Sequence, residues 1–195
     1  MPRQREFDRE QALGAAMHLF WEQGYNATST PELLDAMGVG RGSFYAAFED
    51  KQSLFNEALD LFAERNKAVL RDVMITEGPL QAVRRFFEIT LFEVPRRRVR
   101  RGCLLVNTVL ELAAVEESLR ARATAHLNEM EALMAECFRE AIARGELATD
   151  RSPEQLASVV MTMNQGLRVA SRKHASHDEL RDVLDTTLSL LGFAA

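Results

Sequence analysis

The sequence lacks most of what marks an exported, membrane or metal-dependent protein. It has two cysteines, Cys103 and Cys137, which make no disulfide framework. No apolar run approaches the roughly 18 residues of a membrane span. The charged opening MPRQREFDRE has no apolar stretch behind it, as a secretory leader requires. The expectation is a cytoplasmic protein with no membrane partner. Four histidines, His18, His126, His174 and His177, form neither H-E-x-x-H nor a Glu-x-x-His pair, so a zinc hydrolase or di-iron bundle has no support. There is no G-x-S-x-G. The glycines Gly38, Gly40 and Gly42 follow a helix rather than a strand and lack the Lys-Ser/Thr of a phosphate loop. No cofactor or metal is implied, and no enzyme.

A surplus of positive charge is missing as well. The net charge is −5. Up to Lys51 the chain carries Arg3, Arg5, Arg9, Arg41 and Lys51 against eight carboxylates. Binding to nucleic acid would therefore need placed contacts rather than a basic field.

What remains is a chain of 195 residues that is 47% apolar, enough for a real core. No strand pattern and no repeat emerge, so the expected class is all-α. Leu13, Ala16, Met17 and Phe20 share one face of a helix from about Asp8 to Gln23. Ser29 and Glu32 form a capping box, Pro31 sits in the first turn, and Gly38 ends that helix. Arg41 to Phe48 follow as another short helix. Helix, glycine turn and helix make a helix-turn-helix, whose second helix would enter a DNA major groove. Asp50 caps a long fourth helix from Lys51 to about Ile75. Residues 1–50 thus read as a three-helix domain carrying the helix-turn-helix, and 51–195 as a larger helical domain.

The later helices are expected from Leu80 to about Phe92, Cys103 to Ala113, Glu116 to about Arg144, Ser152 to about Lys173, and Asp178 to about Leu191. Arg96 to Arg101 read as a solvated basic loop. The last two helices are apolar on more than one face, as a central bundle helix or a homodimer seam requires, and the seam is favoured. Asn107 and Glu111, with Asn164, Gln165 and Arg168, interrupt apolar stripes. They either pair across the bundle or line an effector pocket with Phe86, Phe87, Met130, Met134 and Met163. Cys103 follows the arginines at a helix start. It is either a small packing residue or a thiol activated by positive charge. Cys137 lies on an apolar stripe and reads as core.

Gly38-Val39-Gly40-Arg41-Gly42-Ser43-Phe44-Tyr45, then Phe48, Lys51 and Leu54, resemble the signature of TetR-family transcriptional regulators, as do Leu19-Phe20, Gly24-Tyr25 and Thr28-Ser29. The match covers roughly residues 8 to 58. The resemblance implies that 1–50 is a DNA-binding domain and 51–195 a helical ligand-binding and dimerisation domain. It implies a homodimeric repressor on a palindromic double-stranded DNA operator, released by a small-molecule inducer. It also implies Arg41 and Ser43 facing the groove, with Thr28, Ser29, Tyr45 and Lys51 at phosphates. For Tyr45 core packing stays open; Phe48 reads as core. Gly40 stands where the family often has Ser or Thr, and Ala47 where it often has His or Tyr. Arg101-Gly102-Cys103-Leu104-Leu105-Val106-Asn107 resembles a subgroup that includes regulators answering reactive electrophiles. The rival from another class is a helical ligand carrier or enzyme with a vestigial DNA-binding domain.

Overall fold

The computed structural model describes residues 8–113 and 116–193; Arg3 and Arg5 lie outside them. Every regular element among these residues is helical: α1 (Arg9–Gln23), α2 (Thr30–Met37), α3 (Arg41–Phe48), α4 (Lys51–Thr76), α5 (Pro79–Phe87), α6 (Arg96–Val99), α7 (Leu104–Leu112), α8 (Glu117–Ala143), α9 (Pro153–Arg172) and α10 (His177–Leu190). Among the described residues no helix is long and apolar enough to cross a membrane.

The helix starts follow from side chains that bind the otherwise unpaired first-turn N–H groups. Asp8, Ser29, Asp50, Ser152 and Ser176 each accept from the backbone N–H three residues on. At Ser29 the carboxylate of Glu32 reaches back to the Ser29 N–H at 2.8 Å. Gly38 closes α2 in the left-handed region at φ 66°, where a Cβ would be strained. Gly40 caps α3 with no side chain, so that helix starts without the hydrogen bond a Ser or Thr would add.

Three expectations change. The helix around Leu80 to Phe92 widens into a π turn at Glu88–Phe92. There the Thr90 carbonyl accepts from Arg168 Nη1 at 3.2 Å, a bond made from outside the helix ladder. The last helix begins at His177, not Asp178, because Ser176 and Glu179 form its capping box. The stretch expected as a solvated basic loop keeps Arg96, Arg97, Arg98 and Arg100 exposed but contains the short helix α6, with Val99 buried.

The helices bury two apolar clusters, and α4 runs through both. Its first half, with Leu54, Phe55, Ala58, Leu59 and Phe62, packs against α1, α2 and α3. Its second half, with Leu70 and Val73, joins α5, α8, α9 and α10. The first cluster also takes in Leu104, Leu105, Val106 and Leu112 of α7, and Leu119 and Ala123 of α8. The core under the helix-turn-helix is thus partly built by helices that follow the basic segment.

Candidate nucleic-acid interface and effector cavity

The helix-turn-helix presents α3 outward. Phe44 and Phe48 are buried beneath it, so Phe48 is core. Arg41, at the start of α3, is exposed and makes no hydrogen bond or ion pair with the described residues. Ser43 is half-buried. Tyr45 is 47% exposed and lies edge-on to Phe44 with ring centroids 5.1 Å apart. Its phenol is at the surface rather than in the core. Ser29 is exposed, with its hydroxyl donating to Glu32 at 2.6 Å.

Two residues expected at phosphates have partners within the protein. Thr28 is 1% exposed, and its hydroxyl donates to the Gly24 carbonyl at 2.6 Å. It braces the α1–α2 turn from inside. Lys51 Nζ lies 4.3 Å from the centroid of the Tyr25 ring. Partial burial holds its amine below the usual lysine range, against the pull of Glu111 and Glu32. Among the other nearby cations, Arg9 lies 4.6 Å above Phe48 and donates to both carboxylate oxygens of Glu57 at 2.7 Å.

Further up the chain, residues of α4, α5, α7, α8 and α9 line a cavity of about 30 Å³, room for a water molecule. Phe86, Cys103, Asn164 and Arg168 line it, with Met130. So do Phe62, Asn66, His126 and Met161, which the sequence pattern did not single out. They come from three helices, α4, α8 and α9, that converge only in the fold. Phe87 and Met134 do not line the cavity; both are fully buried in the C-terminal core. Phe87 is one position past Phe86, about 100° further round its helix, and Met134 is a turn beyond Met130. Met163 does not line the cavity either; it is partly buried and packs against the same core.

Polar residues of the cavity are held by one another. Arg168 is 7% exposed. Its Nε donates to Asn164 at 3.1 Å, and its terminal nitrogens donate to the Thr90 carbonyl and hydroxyl at 3.2 and 2.8 Å. No described carboxylate pairs with it. Cys103 is buried, and burial pushes its thiol up, against the pull of Arg168. His126 hydrogen-bonds Asp60 at 2.7 Å and Glu129 at 3.1 Å. Partial burial opposes ionisation of Asp60, but bonds from Arg122 and His126 outweigh it and hold the carboxyl below its usual range.

Asn107 and Glu111 lie elsewhere. The Asn107 amide donates to the Arg101 carbonyl at 2.9 Å. Glu111 leaves the cavity altogether: its carboxylate accepts from the backbone N–H of Tyr25 at 3.1 Å and of Asn26 at 2.7 Å. Gly24 makes this approach possible, since a Cβ there would meet Glu111 Oε2 at 2.6 Å. The same turn of α1 is gripped from the basic segment. Trp21 Nε1 donates to the Gly102 carbonyl at 3.3 Å, and Arg101 pairs with Glu22 at 2.5 Å. Arg98 and Arg101 lie 5.4 and 6.0 Å from the Trp21 ring. A clasp of polar contacts therefore joins both ends of α7 to the C-terminal end of α1, directly before the helix-turn-helix.

Comparison with known proteins agrees with this architecture. Residues 12–58 match the model of bacterial regulatory proteins of the tetR family. Residues 79–187 match the tetracyclin repressor-like C-terminal domain. The chain belongs to the TetR family. TetR relatives include the HTH-type transcriptional repressor ComR of Escherichia coli (strain K12), 29% identical over 96% of this chain and 90% of that protein. The transcriptional regulator AcuR of Cereibacter sphaeroides is 30% identical over 89% of this chain and 80% of that protein. Among solved TetR structures, a cysteine mutant of CifR complexed with 26-bp double-strand operator DNA superposes with a TM-score of 0.78. It is 34% identical and covers 96% of this chain and 98% of that one. This TetR-family chain is a DNA-binding transcriptional regulator.

Proposed function

We propose that the protein is a homodimeric repressor that holds a near-palindromic operator and releases it when a small molecule enters the C-terminal helices. The observation that carries the regulatory half is the clasp of Glu111 on the Tyr25 and Asn26 amides. A ligand that shifts α7 moves the scaffold of the recognition helix. It does so only by binding the released state more tightly than the operator-bound one. The seam between two copies is α9 with α10, where Val159, Val169, Val183 and Leu190 stand exposed. Two copies supply the paired recognition helices of a palindrome, with half-sites about 34–36 Å apart or a multiple of that. Arg41 and Ser43 read bases, and Ser29, Tyr45 and Lys51 hold phosphates.

The test is retention of the protein on its own upstream DNA against scrambled DNA across a salt series. Preference for the upstream DNA is expected. Arg41→Ala should erase that preference, costing about 1–3 kcal/mol on the cognate site. Lys51→Ala should weaken both DNAs about equally and flatten the salt slope by about one unit. Equal binding of the native protein to both DNAs would sink the operator proposal.

Cys103 packs the start of α7 in this account, and release is non-covalent. Its thiol should react with a small alkylating agent far more slowly in the native protein than in denaturant. Operator release by electrophiles in the native protein, abolished in Cys103→Ser, would instead make it a sensor.

A further inference from the structure

Beside the cavity, on the other side of Arg168, lies a second hollow of about 190 Å³. Arg65 of α4, Arg98 of α6 and Arg168 of α9 line it, with Trp21, Asn66 and Thr90. The rest of its wall is apolar, from Met17, Phe62, Val69, Ile89 and Val94. None of its lining residues is acidic, and none of the three arginines makes an ion pair with a described carboxylate.

Three guanidiniums facing one hollow without an anion repel one another, and the repulsion is least screened at the buried Arg168. The groups around the hollow register that positive potential. Burial, then Arg65 and Arg101, hold Arg98 below its ordinary range. Burial, then Arg101, Arg98 and Arg65, do the same to His18. Arg168 uses three N–H groups on Asn164 and Thr90 of the five a guanidinium carries, so donors remain for a further acceptor.

We propose that this hollow is an anion site for a small apolar carboxylate, clamped by Arg168, Arg98 and Arg65 with its hydrocarbon part against Trp21 and Phe62. The size fits: a cavity of about 150 Å³ accepts benzene, so about 190 Å³ accepts a ring bearing one carboxylate. The apolar wall favours an organic acid over a fully hydrated inorganic anion. The site also lies on the clasp. Arg98 sits over Trp21 at 5.4 Å, and an anion drawing Arg98 inward loosens α1 from the basic segment. This last step rests on the repressor reading above; binding itself does not.

Trp21 is the sole tryptophan of the chain, so its fluorescence reports the site directly. Benzoate titrated into the full-length protein should give a saturable change. Benzamide, its neutral counterpart, should bind about tenfold more weakly or worse, as expected for loss of a charge-assisted pair. Arg98→Gln and Arg65→Gln, both at exposed positions, should each weaken benzoate by about tenfold while a cooperative thermal transition shows that each variant is folded. The proposal is overturned if benzamide matches benzoate, if inorganic phosphate binds as tightly, if no saturation occurs, or if both variants bind like the native protein. Operator retention is then measured with saturating benzoate. Release supports the regulatory step, whereas retention with benzoate bound overturns that step and leaves the anion site standing.

Discussion

Glu111→Ala is expected to lower stability by about 3 kcal/mol and to leave operator binding insensitive to events in the C-terminal helices. Its carboxylate accepts two backbone N–H groups at the end of α1, and a hydrogen bond to a charged group contributes about 1.5–3 kcal/mol. No other described side chain takes over those amides, so the turn before α2 loses its only tie to α7 at that point. Denaturant unfolding at fixed protein concentration measures the loss, since a dimer's stability depends on concentration. Glu111→Gln keeps one acceptor and should fall between the two. An alanine variant as stable as the native protein would show that the clasp holds nothing.

Phe55→Ala is expected to cost about 3–5 kcal/mol, the range for emptying a buried phenylalanine site. Phe55 is 1% exposed. Its ring meets Phe20 at 4.7 Å and Tyr25 at 4.8 Å between centroids. The void therefore opens where α1, α4 and the turn after α1 converge, and the backbone there is held from several sides and cannot collapse fully. Tyr25 also seats Lys51, so operator affinity should fall with stability, by more than Lys51→Ala alone produces. Thermal and denaturant unfolding beside operator titration test this. A cost below about 1 kcal/mol would mean that the site repacks.

Local chemistry made the N-terminal half legible. Ser29 with Glu32, Gly38 and Asp50 each fix a helix boundary within a few residues, and the structure keeps all of them. The capping box at Ser176 is equally local, but Asp178 in the first turn is itself a cap-type residue and offers a competing start. What could not be read was anything set by the meeting of distant segments. Glu111 interrupts an apolar stripe on α7, and a polar residue in such a position suits a pocket as well as a partner; its partners lie 85 and 86 residues away. Thr28 sits beside the turn as a phosphate contact should, yet the Gly24 carbonyl turns its hydroxyl inward. The basic segment is exposed at Arg96, Arg97, Arg98 and Arg100, as expected of arginines, but it is more than a solvated turn. Trp21 and Glu22 of α1 give two of them partners that no local pattern reveals.

The central claim is that α7 couples the C-terminal helices to the recognition helix. Amide hydrogen exchange along Leu104–Leu112, with and without operator DNA, tests it most directly. Coupling is reciprocal, so operator binding should change protection on α7 in the native protein although α7 lies outside the DNA-reading helices. That change should vanish in Glu111→Ala at operator saturation. Protection on α7 that is the same with and without operator in the native protein would contradict the account.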